Sequence, residues 1–371
     1  MPPTFKDFAL LPTLQQTLAE KSLVTPTEIQ QKALPILLAG SSVVGVAETG
    51  SGKTLAYALP ILNLIKRQEL AGDKVEKDST PRAVIIVPTR ELGEQVSKVF
   101  KVFTHTTRLR VRTVLGGTTM EVAKESIKGP FEVLVATPGR VVQLLVKRKL
   151  DLTDTRVLVF DEADQMLDQG FLAEAMKLVH ACPEKRQLAL FSATVSPTVQ
   201  EMITKLFDQV EVIRTQGSSR LVANLKTENK KVLNGKRWPI LEQLLATKTT
   251  GGTLIFTNTR EQCDKLAVEL TKKGHKCVIY RGEMDKVERR ANLKAFRDGQ
   301  VELLISTDLA SRGLDVEHVG RVINYHMPQH LENYIHRVGR TARAGRSGLV
   351  INFVTERDQR IVDQLTTVRA R

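Results

Sequence analysis

Short apolar runs recur along the first half of the chain, and turn-forming residues bound each of them. Most of these runs are continuously apolar and do not alternate with polar residues, which predicts strands buried on both faces of a parallel sheet. The stretches between them carry apolar residues at three- and four-residue spacing, as helices packed on a sheet do. The runs are VVGV (43–46), AVIIVP (83–88), VRTVLG (111–116), VLVAT (133–137), VLVFDE (157–162) and QLALFSAT (187–194).

A second series of runs follows a small, polar, turn-rich segment, TQGSSR (215–220). These runs again alternate with helical patterns, which indicates a second domain of the same α/β class. We predict an N-terminal domain over 1–213, a linker over 214–220 and a C-terminal domain over 221–371, each a mainly parallel sheet flanked by helices. The runs of the second series are TLIFTN (253–258), CVIYRG (277–282), ELLISTD (302–308), RVINYHM (321–327) and GLVINFV (348–354).

Composition agrees with two ordinary globular domains. Of the 371 residues, 42% are apolar and 26% are charged, which excludes the disordered, collagen-like and membrane-embedded classes. The net charge is +14; residues 1–220 contribute 28 basic and 24 acidic side chains, and residues 221–371 contribute 27 and 17. The more cationic second half favours an anionic partner, a phosphate backbone or a membrane surface, although solubility alone also explains it.

The cysteines and the N-terminal residues bear on where in the cell the protein is located. Cys182, Cys263 and Cys277 form no C-x-x-C pair, so neither a disulfide framework nor a zinc site is predicted. The first residues lack a basic segment followed by an apolar one, and no apolar run reaches the length of about 18 residues that spans a bilayer. We expect a cytoplasmic protein that is neither exported nor membrane-spanning.

The segment AETGSGKT (47–54) lies between an apolar strand and a helical pattern, the context that a phosphate-binding loop requires. Gly50 and Gly52 allow a tight turn that presents backbone N–H groups, and the helix N-terminus adds its positive end. Lys53 is predicted to reach the β and γ phosphates of a nucleotide, and Thr54 is predicted to help hold Mg²⁺. The strict pattern has Gly where this chain has Ala47.

The run VLVFDEAD (157–164) ends a strand in three carboxylates within four residues, whose repulsion a cation or a solvent-filled cleft must relieve. Its position puts Asp161 at the carboxyl edge of the sheet, where ligands of α/β proteins bind. We predict that Asp161 binds Mg²⁺ and that Glu162 orients or deprotonates an attacking water. A solvated acidic turn is the alternative, and it is less favoured beside Lys53 and Thr54.

Further motifs occur in a fixed order along nearly the whole chain. SAT (192–194) follows the DEAD tetrapeptide (161–164), and the others are PTREL (88–92), Gly116–Gly117, TPGR (137–140), TDLASRGLD (307–315) and HRVGRTARAG (336–345). Together with AETGSGKT they resemble the DEAD-box RNA helicase family of superfamily 2, in its bacterial-type minimal core. The resemblance implies two tandem RecA-like domains that close around ATP, Mg²⁺ and a single RNA strand, with RNA-stimulated ATP hydrolysis and local duplex unwinding.

The resemblance also implies how ATP is bound. TPTEIQ (25–30) is similar to the family's adenine-reading segment, so Thr25 is assigned to the nucleotide site, Gln30 to the adenine edge and Phe5 to the adenine face. The alternative for Phe5 is a core anchor, and Ser22–Leu23 departs from the family's Gly-aromatic pair. The phosphates are assigned to Ala47, Thr49, Gly50, Ser51, Gly52, Lys53 and Thr54.

Arginines recur at three-residue intervals in HRVGRTARAGR, at positions 337, 340, 343 and 346. On one helix the first three would form a band of like charge that repels itself without an anionic partner. By resemblance, Arg340 and Arg343 are arginine fingers for the γ phosphate, Asp315 contacts the ribose, and His336 links to the acidic motif. A solvated basic helix face is the alternative.

RNA contacts are implied for small, hydroxyl-bearing or cationic residues at strand ends, which suit sugar-phosphate contact and sequence-independent binding. Ser192 and Thr194 are expected to hydrogen-bond Asp164 and to couple ATP state to domain arrangement; locally satisfied hydroxyls are the alternative. Lys286 stands where the family usually has Gln. The RNA positions are Pro88, Thr89, Arg90, Gly116, Gly117, Thr137 and Arg140, then Thr259, Arg289 and Thr307.

Two other functions stay open at this point. A DNA-directed translocase of superfamily 2 would share the ATPase motifs, although DEAD and TPTEIQ argue against it. A non-catalytic, ATP-gated RNA clamp would need a damaged site, whereas Lys53, Glu162, Arg340 and Arg343 are all present. We expect a monomeric core that acts on single strands and short duplexes of RNA, without an appended recognition module; ribonucleoprotein or RNA-decay partners are left open.

Overall fold

The chain forms two compact units, 1–218 and 219–371, in the computed structural model. The structure describes residues 3–48, 50–215, 225–247, 249–282, 284–308, 316, 318–341 and 348–369. Most of the predicted linker lies outside these residues, so the predicted domain bounds stay a prediction. Within the described ranges, no helix combines the length and the apolar character that crossing a bilayer requires.

Parallel strands build the sheet of the first unit in the order β3-β4-β2-β5-β6-β1-β7. The central strands are buried on both faces, which explains why their sequences do not alternate. β3 and β7 are the partly exposed edges. The strands are β1 (Val43–Val46), β2 (Ala83–Ile86), β3 (Val111–Val114), β4 (Val133–Ala136), β5 (Val157–Phe160), β6 (Gln187–Ser192) and β7 (Glu211–Arg214).

Helices cover both faces of this sheet. Those before residue 108 pack with one face in a single apolar cluster, and the later ones pack with the other face in a second cluster. After a short 3₁₀ turn at Phe5–Asp7, the helices are α1 (Pro12–Glu20), α2 (Glu28–Leu38), α3 (Lys53–Leu70), α4 (Arg90–Thr107), α5 (Met120–Ser126), α6 (Pro138–Val146), α7 (Ala163–Asp168), α8 (Leu172–Ala181) and α9 (Pro197–Leu206).

The second unit is a parallel sheet in the order β10-β11-β9-β12-β13-β8. The predicted α/β class and parallel pairing are confirmed for both units. The strands are β8 (Leu225–Lys231), β9 (Gly252–Thr257), β10 (Cys277–Tyr280), β11 (Leu303–Thr307), β12 (Val319–Asn324) and β13 (Gly348–Val354). Sequence reasoning missed β8, because LKTENKK is a polar edge strand whose lysines face solvent.

The helices of the second unit lie between these strands and after them. They are α10 (Trp238–Leu245), α11 (Arg260–Lys272), α12 (Lys286–Arg297), α13 (Leu331–Val338) and α14 (Gln359–Arg369). Two apolar clusters again lie on opposite faces of the sheet, with Leu254 in one and Ile255 in the other. Since every strand is parallel, the carboxyl ends of each sheet share one edge.

Candidate nucleotide site and nucleic-acid interface

The predicted phosphate loop connects β1 to α3 at the carboxyl edge of the first sheet. Gly50 and Gly52 have φ angles of +87° and +93°, a region that favours glycine. Lys53 is the first residue of α3, and its buried ammonium donates to the carbonyl oxygens of Ala47 (2.7 Å) and Glu48 (2.9 Å). The ammonium therefore lies inside the loop, beside the positive end of α3, as a site for an anion requires.

The remaining loop residues support this turn. The Ser51 hydroxyl donates to the carbonyl oxygen of Glu48 at 2.7 Å. Burial raises the pKa of Glu48, while the neighbouring Lys53 opposes that shift. Thr54 lies in the first turn of α3. Thr49 falls outside the described residues.

Gln30 joins the adenine-reading segment to the phosphate loop. Its side chain is 3% exposed; Nε2 donates to the Gly52 carbonyl (3.0 Å), and Oε1 accepts from the Thr27 backbone N–H (2.9 Å). A Cβ on Gly52 would lie 2.5 Å from Gln30 Nε2, so this approach requires glycine. The structure thus brings Gln30 to the loop, and its contact with adenine stays a prediction.

Phe5 and Thr25, the other two residues predicted at the adenine site, differ in their exposure to solvent. Phe5 is 4% exposed and packs in the apolar core of the first unit, which gives it the role of an anchor. Its stacking on adenine stays a prediction that needs a face of the ring to become accessible. Thr25 is exposed, just before α2.

Tyr57 contacts Asp161, one of the two predicted metal ligands. The Tyr57 hydroxyl donates to Asp161 Oδ2 at 2.7 Å, and Thr54, the other predicted ligand, lies three residues before Tyr57 in α3. Burial raises the pKa of Asp161 to about 6, with Lys53 opposing that shift. Burial and the Asp161 charge raise the pKa of Tyr57 well above its usual value. Sequence reasoning missed Tyr57, although its spacing of four residues from Lys53 puts both on one helix face.

This oxygen set fits Mg²⁺, which usually takes one or two carboxylates and completes its shell with phosphates and water. Among the described residues, no group of three or more His, Cys, Asp or Glu side chains is arranged to hold a metal by itself. A cation beside Asp161 would favour its ionised form and so offset the cost of its burial. The predicted ligands thus agree with a metal that arrives with a nucleotide.

Glu162 has an unusual backbone for a residue with a side chain. Its φ is +51°, and it forms the N-cap of α7 directly after β5. Its backbone N–H donates to Asp161 Oδ1 at 3.0 Å, which fixes the turn. Left-handed non-glycine residues cost free energy and cluster at functional sites.

Asp164 bonds the SAT segment as the sequence predicts. Its Oδ2 accepts from the backbone N–H groups of Ala193 (3.1 Å) and Thr194 (2.9 Å) and from the Thr194 hydroxyl (3.0 Å). Ser192 Oγ accepts from the Asp164 N–H and donates to the Thr194 carbonyl. The ends of β5 and β6 are thereby joined, while the coupling role stays a prediction.

The predicted RNA residues of the first unit follow β2, β3 and β4 at the same carboxyl edge. Thr137 Oγ1 accepts from the Gly116 N–H at 3.0 Å, and Arg90 donates to the Gly116 carbonyl at 3.5 Å. Arg140 donates to the carbonyl of Thr118, and Thr89 caps α4. The structure thus brings Thr89, Arg90, Gly116, Thr137 and Arg140 together, with Pro88 and Gly117 adjoining them in the chain.

The predicted RNA residues of the second unit also lie at a carboxyl edge. Thr259 caps α11 just after β9, and Thr307 ends β11. The Arg289 guanidinium of α12 lies over the Tyr280 ring at 5.6 Å, beside the end of β10. Lys286 begins α12, and its side chain is outside the description.

The alternative, a solvated basic helix face, is wrong for the two arginines of this series that the structure describes, Arg337 and Arg340. Helix α13 ends at Val338, so Arg340 lies in the turn after it and not on the helix. Arg337 is completely buried against Asp308, and Arg340 is 3% exposed with Nε donating to the His336 carbonyl at 3.1 Å. The three-residue spacing of the arginines suggests one continuous helix, but Gly339, a residue type that commonly ends helices, lies between Arg337 and Arg340. Asp315, Arg343 and Arg346 lie outside the described residues.

Comparisons with known proteins agree with the arrangement of these motifs. Residues 27–202 match the DEAD/DEAH box helicase family, and residues 236–345 match the helicase conserved C-terminal domain. The DEAD-box ATP-dependent RNA helicase RhpA of Helicobacter pylori is 36% identical over 354 residues, covering 95% of this chain and 70% of that protein. The RNA helicase CrhR of Synechocystis is 33% identical, covering 97% of this chain and 71% of that protein.

A solved structure confirms the predicted tandem RecA-like fold. Dbp5 of S. cerevisiae, bound to RNA and ADP BeF3, superimposes with a TM-score of 0.86 at 27% identity, covering 99% of this chain and 93% of that one. The two family models, a relative that covers most of the chain and the order of the motifs all indicate the same family. The chain therefore belongs to the DEAD-box helicase family.

Proposed function

We propose that this chain is an ATP-dependent RNA helicase whose RNA-stimulated ATP hydrolysis drives local separation of short duplexes. The observation that carries the proposal is the buried group formed by Lys53, Tyr57 and Asp161, beside the phosphate loop at the carboxyl edge of the first sheet. A buried cation and a buried acid at one edge of a sheet suit a phosphate chain and its metal. The relatives that share the motifs are named as RNA helicases.

Within this proposal the first unit binds the nucleotide. Lys53 exchanges its bonds to the Ala47 and Glu48 carbonyls for phosphate oxygens. The backbone N–H groups of residues 50–54 would surround the phosphates. Thr54 and Asp161 would hold Mg²⁺, which when bound neutralises charge on the β and γ phosphates. Tyr57 orients Asp161 for that role.

Glu162 is the proposed group that activates water. Its carboxylate accepts a proton from the attacking water, or orients that water, as the γ phosphate departs. The left-handed backbone and the bond from its N–H to Asp161 set where its side chain begins, next to the proposed metal ligand. Arg340 and Arg343, with Asp315 and His336, are assigned by family resemblance to the same reaction from the second unit.

RNA is proposed to lie along the carboxyl edges, contacted mainly at its backbone. Hydroxyls, glycine N–H groups and arginines such as Thr137, Gly116 and Arg90 suit phosphate and sugar oxygens and do not read base edges. Sequence-independent binding follows. A cytoplasmic location is part of the proposal, because the three thiols are free, as in a reducing compartment.

Replacement of Glu162 tests the catalytic assignment. We expect Glu162→Gln to keep nucleotide affinity, because the phosphate loop is intact, and to lower RNA-stimulated hydrolysis by about 10²-fold or more. Phosphate release and nucleotide affinity are measured together on the full chain. The matched control is Glu184→Gln, an exposed carboxylate before β6. Turnover within about twofold of the unmodified protein in Glu162→Gln would remove this residue from the role.

The pKa of Asp161 predicts a pH dependence of Mg–ATP binding. Below about pH 6 this carboxyl is protonated in the nucleotide-free protein, so affinity should fall as the pH drops, by up to about tenfold per unit. Tyr57→Phe removes a bond that favours the carboxylate, so its midpoint should lie at higher pH than that of the unmodified protein. Calorimetric titrations across pH measure both midpoints.

The control for that titration is Tyr325→Phe, which changes a tyrosine of the second unit and should leave the midpoint unchanged. A Tyr57→Phe midpoint equal to that of the control would contradict the link between Tyr57 and Asp161.

The position of Gln30 predicts that the site prefers ATP to GTP. Because Gln30 also supports Gly52, Gln30→Ala should weaken both nucleotides, with an additional loss of about tenfold for ATP, which alone carries the matching exocyclic amine. Affinities for both nucleotides are measured, and their ratio decides. Gln31→Ala is the matched control on the same helix, since its side chain bonds the Pro26 carbonyl instead. An ATP/GTP ratio that stays constant in Gln30→Ala refutes adenine reading.

A further inference from the structure

A row of asparagine amides crosses the sheet of the second unit. Asn229 on β8, Asn352 on β13 and Asn324 on β12 are direct neighbours in the strand register. Asn324 Nδ2 donates to Asn352 Oδ1 at 2.8 Å, and Asn352 Nδ2 donates to Asn229 Oδ1 at 2.8 Å. Asn324 and Asn352 are 0% and 1% exposed, whereas Asn229 is exposed at the sheet edge. We call these three residues the asparagine ladder.

The inner end of the ladder holds Arg337. Asn324 Oδ1 accepts from Arg337 Nη1 at 3.1 Å, and the His326 carbonyl accepts from the same nitrogen at 2.6 Å. Nη2 donates to Asn258 Oδ1 and to Asp308 Oδ2, both at 2.8 Å, and Nε donates to Asp308 Oδ1. All five N–H bonds of this fully buried guanidinium are therefore used.

The partners of Arg337 are neighbours of the proposed functional residues. Asp308 directly follows Thr307, and Asn258 directly precedes Thr259, two proposed RNA contacts. Arg340 follows Arg337 by three residues, in the turn that ends α13. The guanidinium thus joins the carboxyl ends of β9, β11 and β12 to the segment that carries a proposed arginine finger.

The ladder departs from the apolar character of its own strands. The two preceding rows pair Val322 with Val350 and Ile323 with Ile351, as a buried parallel sheet usually does. Burying an amide lowers the stability of the fold unless every donor and acceptor finds a partner. For stability alone, apolar side chains would serve better at these positions. Their use here indicates that the position of Arg337 is what they secure.

We propose that the asparagine ladder is a positioning device that sets the rate of RNA-stimulated hydrolysis through Arg337. This inference rests on the proposed function. Asn352 bonds no proposed RNA or ATP residue. Its side chain bonds Asn324 and Asn229 in the ladder, and its Nδ2 also donates at 3.1 Å to the hydroxyl of Tyr334, which lies on α13 three residues before Arg337. Its effect on the reaction must therefore pass through Asn324 or through Tyr334, both of which are neighbours of Arg337. Removing its amide leaves Asn324 Nδ2 unpaired in the core, which favours a rotated Asn324 and a displaced guanidinium.

The test compares two buried, nearly isosteric changes in the full chain. Asn352→Leu breaks the ladder, while Thr253→Val breaks the bond from Arg321 Nε to Thr253 Oγ1 at the opposite, amino end of the sheet. For RNA-stimulated hydrolysis at similar thermal stability, we expect kcat to fall about tenfold in Asn352→Leu, with KM for ATP within about twofold, and to stay within about twofold in Thr253→Val. Equal losses in both variants would overturn the proposal, since a general loss of stability would then explain them.

Two further variants separate positioning from structure. If the ladder acts through Arg337, Asn352→Leu should cause no further loss in an Arg337→Lys background, whereas independent effects would multiply. At the exposed end, Asn229→Asp keeps the acceptor for Asn352 and should retain full activity, whereas Asn229→Ala should lose part of it. Multiplying losses, or equal activity of Asn229→Asp and Asn229→Ala, would overturn the proposal.

A spectroscopic readout keeps this inference distinct from the proposed function. The Nε–H proton resonance of Arg337, observed by NMR, should shift or exchange faster in Asn352→Leu and stay unchanged in Thr253→Val. An unmoved resonance in Asn352→Leu overturns the ladder whatever the activity. A protein without RNA-stimulated hydrolysis would overturn the function, while the resonance would still decide whether the ladder holds Arg337.

Discussion

Parallel pairing of every strand is the constraint on which the rest of this molecule depends. Because all strands of a sheet point the same way, their carboxyl ends share one edge, and the connecting helices must return across the two faces. Buried apolar runs such as β1 and β5 then end where polar groups can meet a ligand. The phosphate loop comes at the end of β1, the DEAD tetrapeptide at the end of β5 and the SAT segment at the end of β6. These three strands lie side by side, with β6 between β5 and β1.

Electrostatics at that edge of the first unit explain why a nucleotide and its metal would bind together. A carboxylate as buried as Asp161 is close to losing its charge, and Lys53 and the Tyr57 hydroxyl favour its ionised form. Lys53 meanwhile donates to carbonyl oxygens of its own loop, which are weaker partners than phosphate. A phosphate chain would give Lys53 anionic acceptors, and the divalent cation bound with it would stabilise the ionised form of Asp161.

Much of the fold and part of the site follow from the sequence. Continuous apolar runs such as 83–88 and 133–137 predict central strands, because burial on both faces removes polar alternation. The strand β8 was missed because its lysines belong to a solvated edge, and the end of α13 was misjudged because three-residue spacing of arginines continues past Gly339. Motif spacing indicates Lys53, Asp161 and Asp164, since their chemistry is local. The spacing from Lys53 puts Tyr57 on the same helix face, but its bond to Asp161 joins elements distant in the chain, which no local pattern reveals. The same holds for the bonds of Arg337 and Asn352 to Asn324.

RNA, and not nucleic acid in general, is expected to stimulate ATP hydrolysis by this chain. The most direct measurement is steady-state phosphate release from the full chain at saturating Mg–ATP, with single-stranded RNA and DNA of the same sequence and length. We expect strong stimulation by RNA, weak or no stimulation by DNA, and rates that do not depend on base sequence. Equal stimulation by DNA would make the chain a translocase on either nucleic acid, and no stimulation by RNA would contradict RNA-driven ATP hydrolysis altogether.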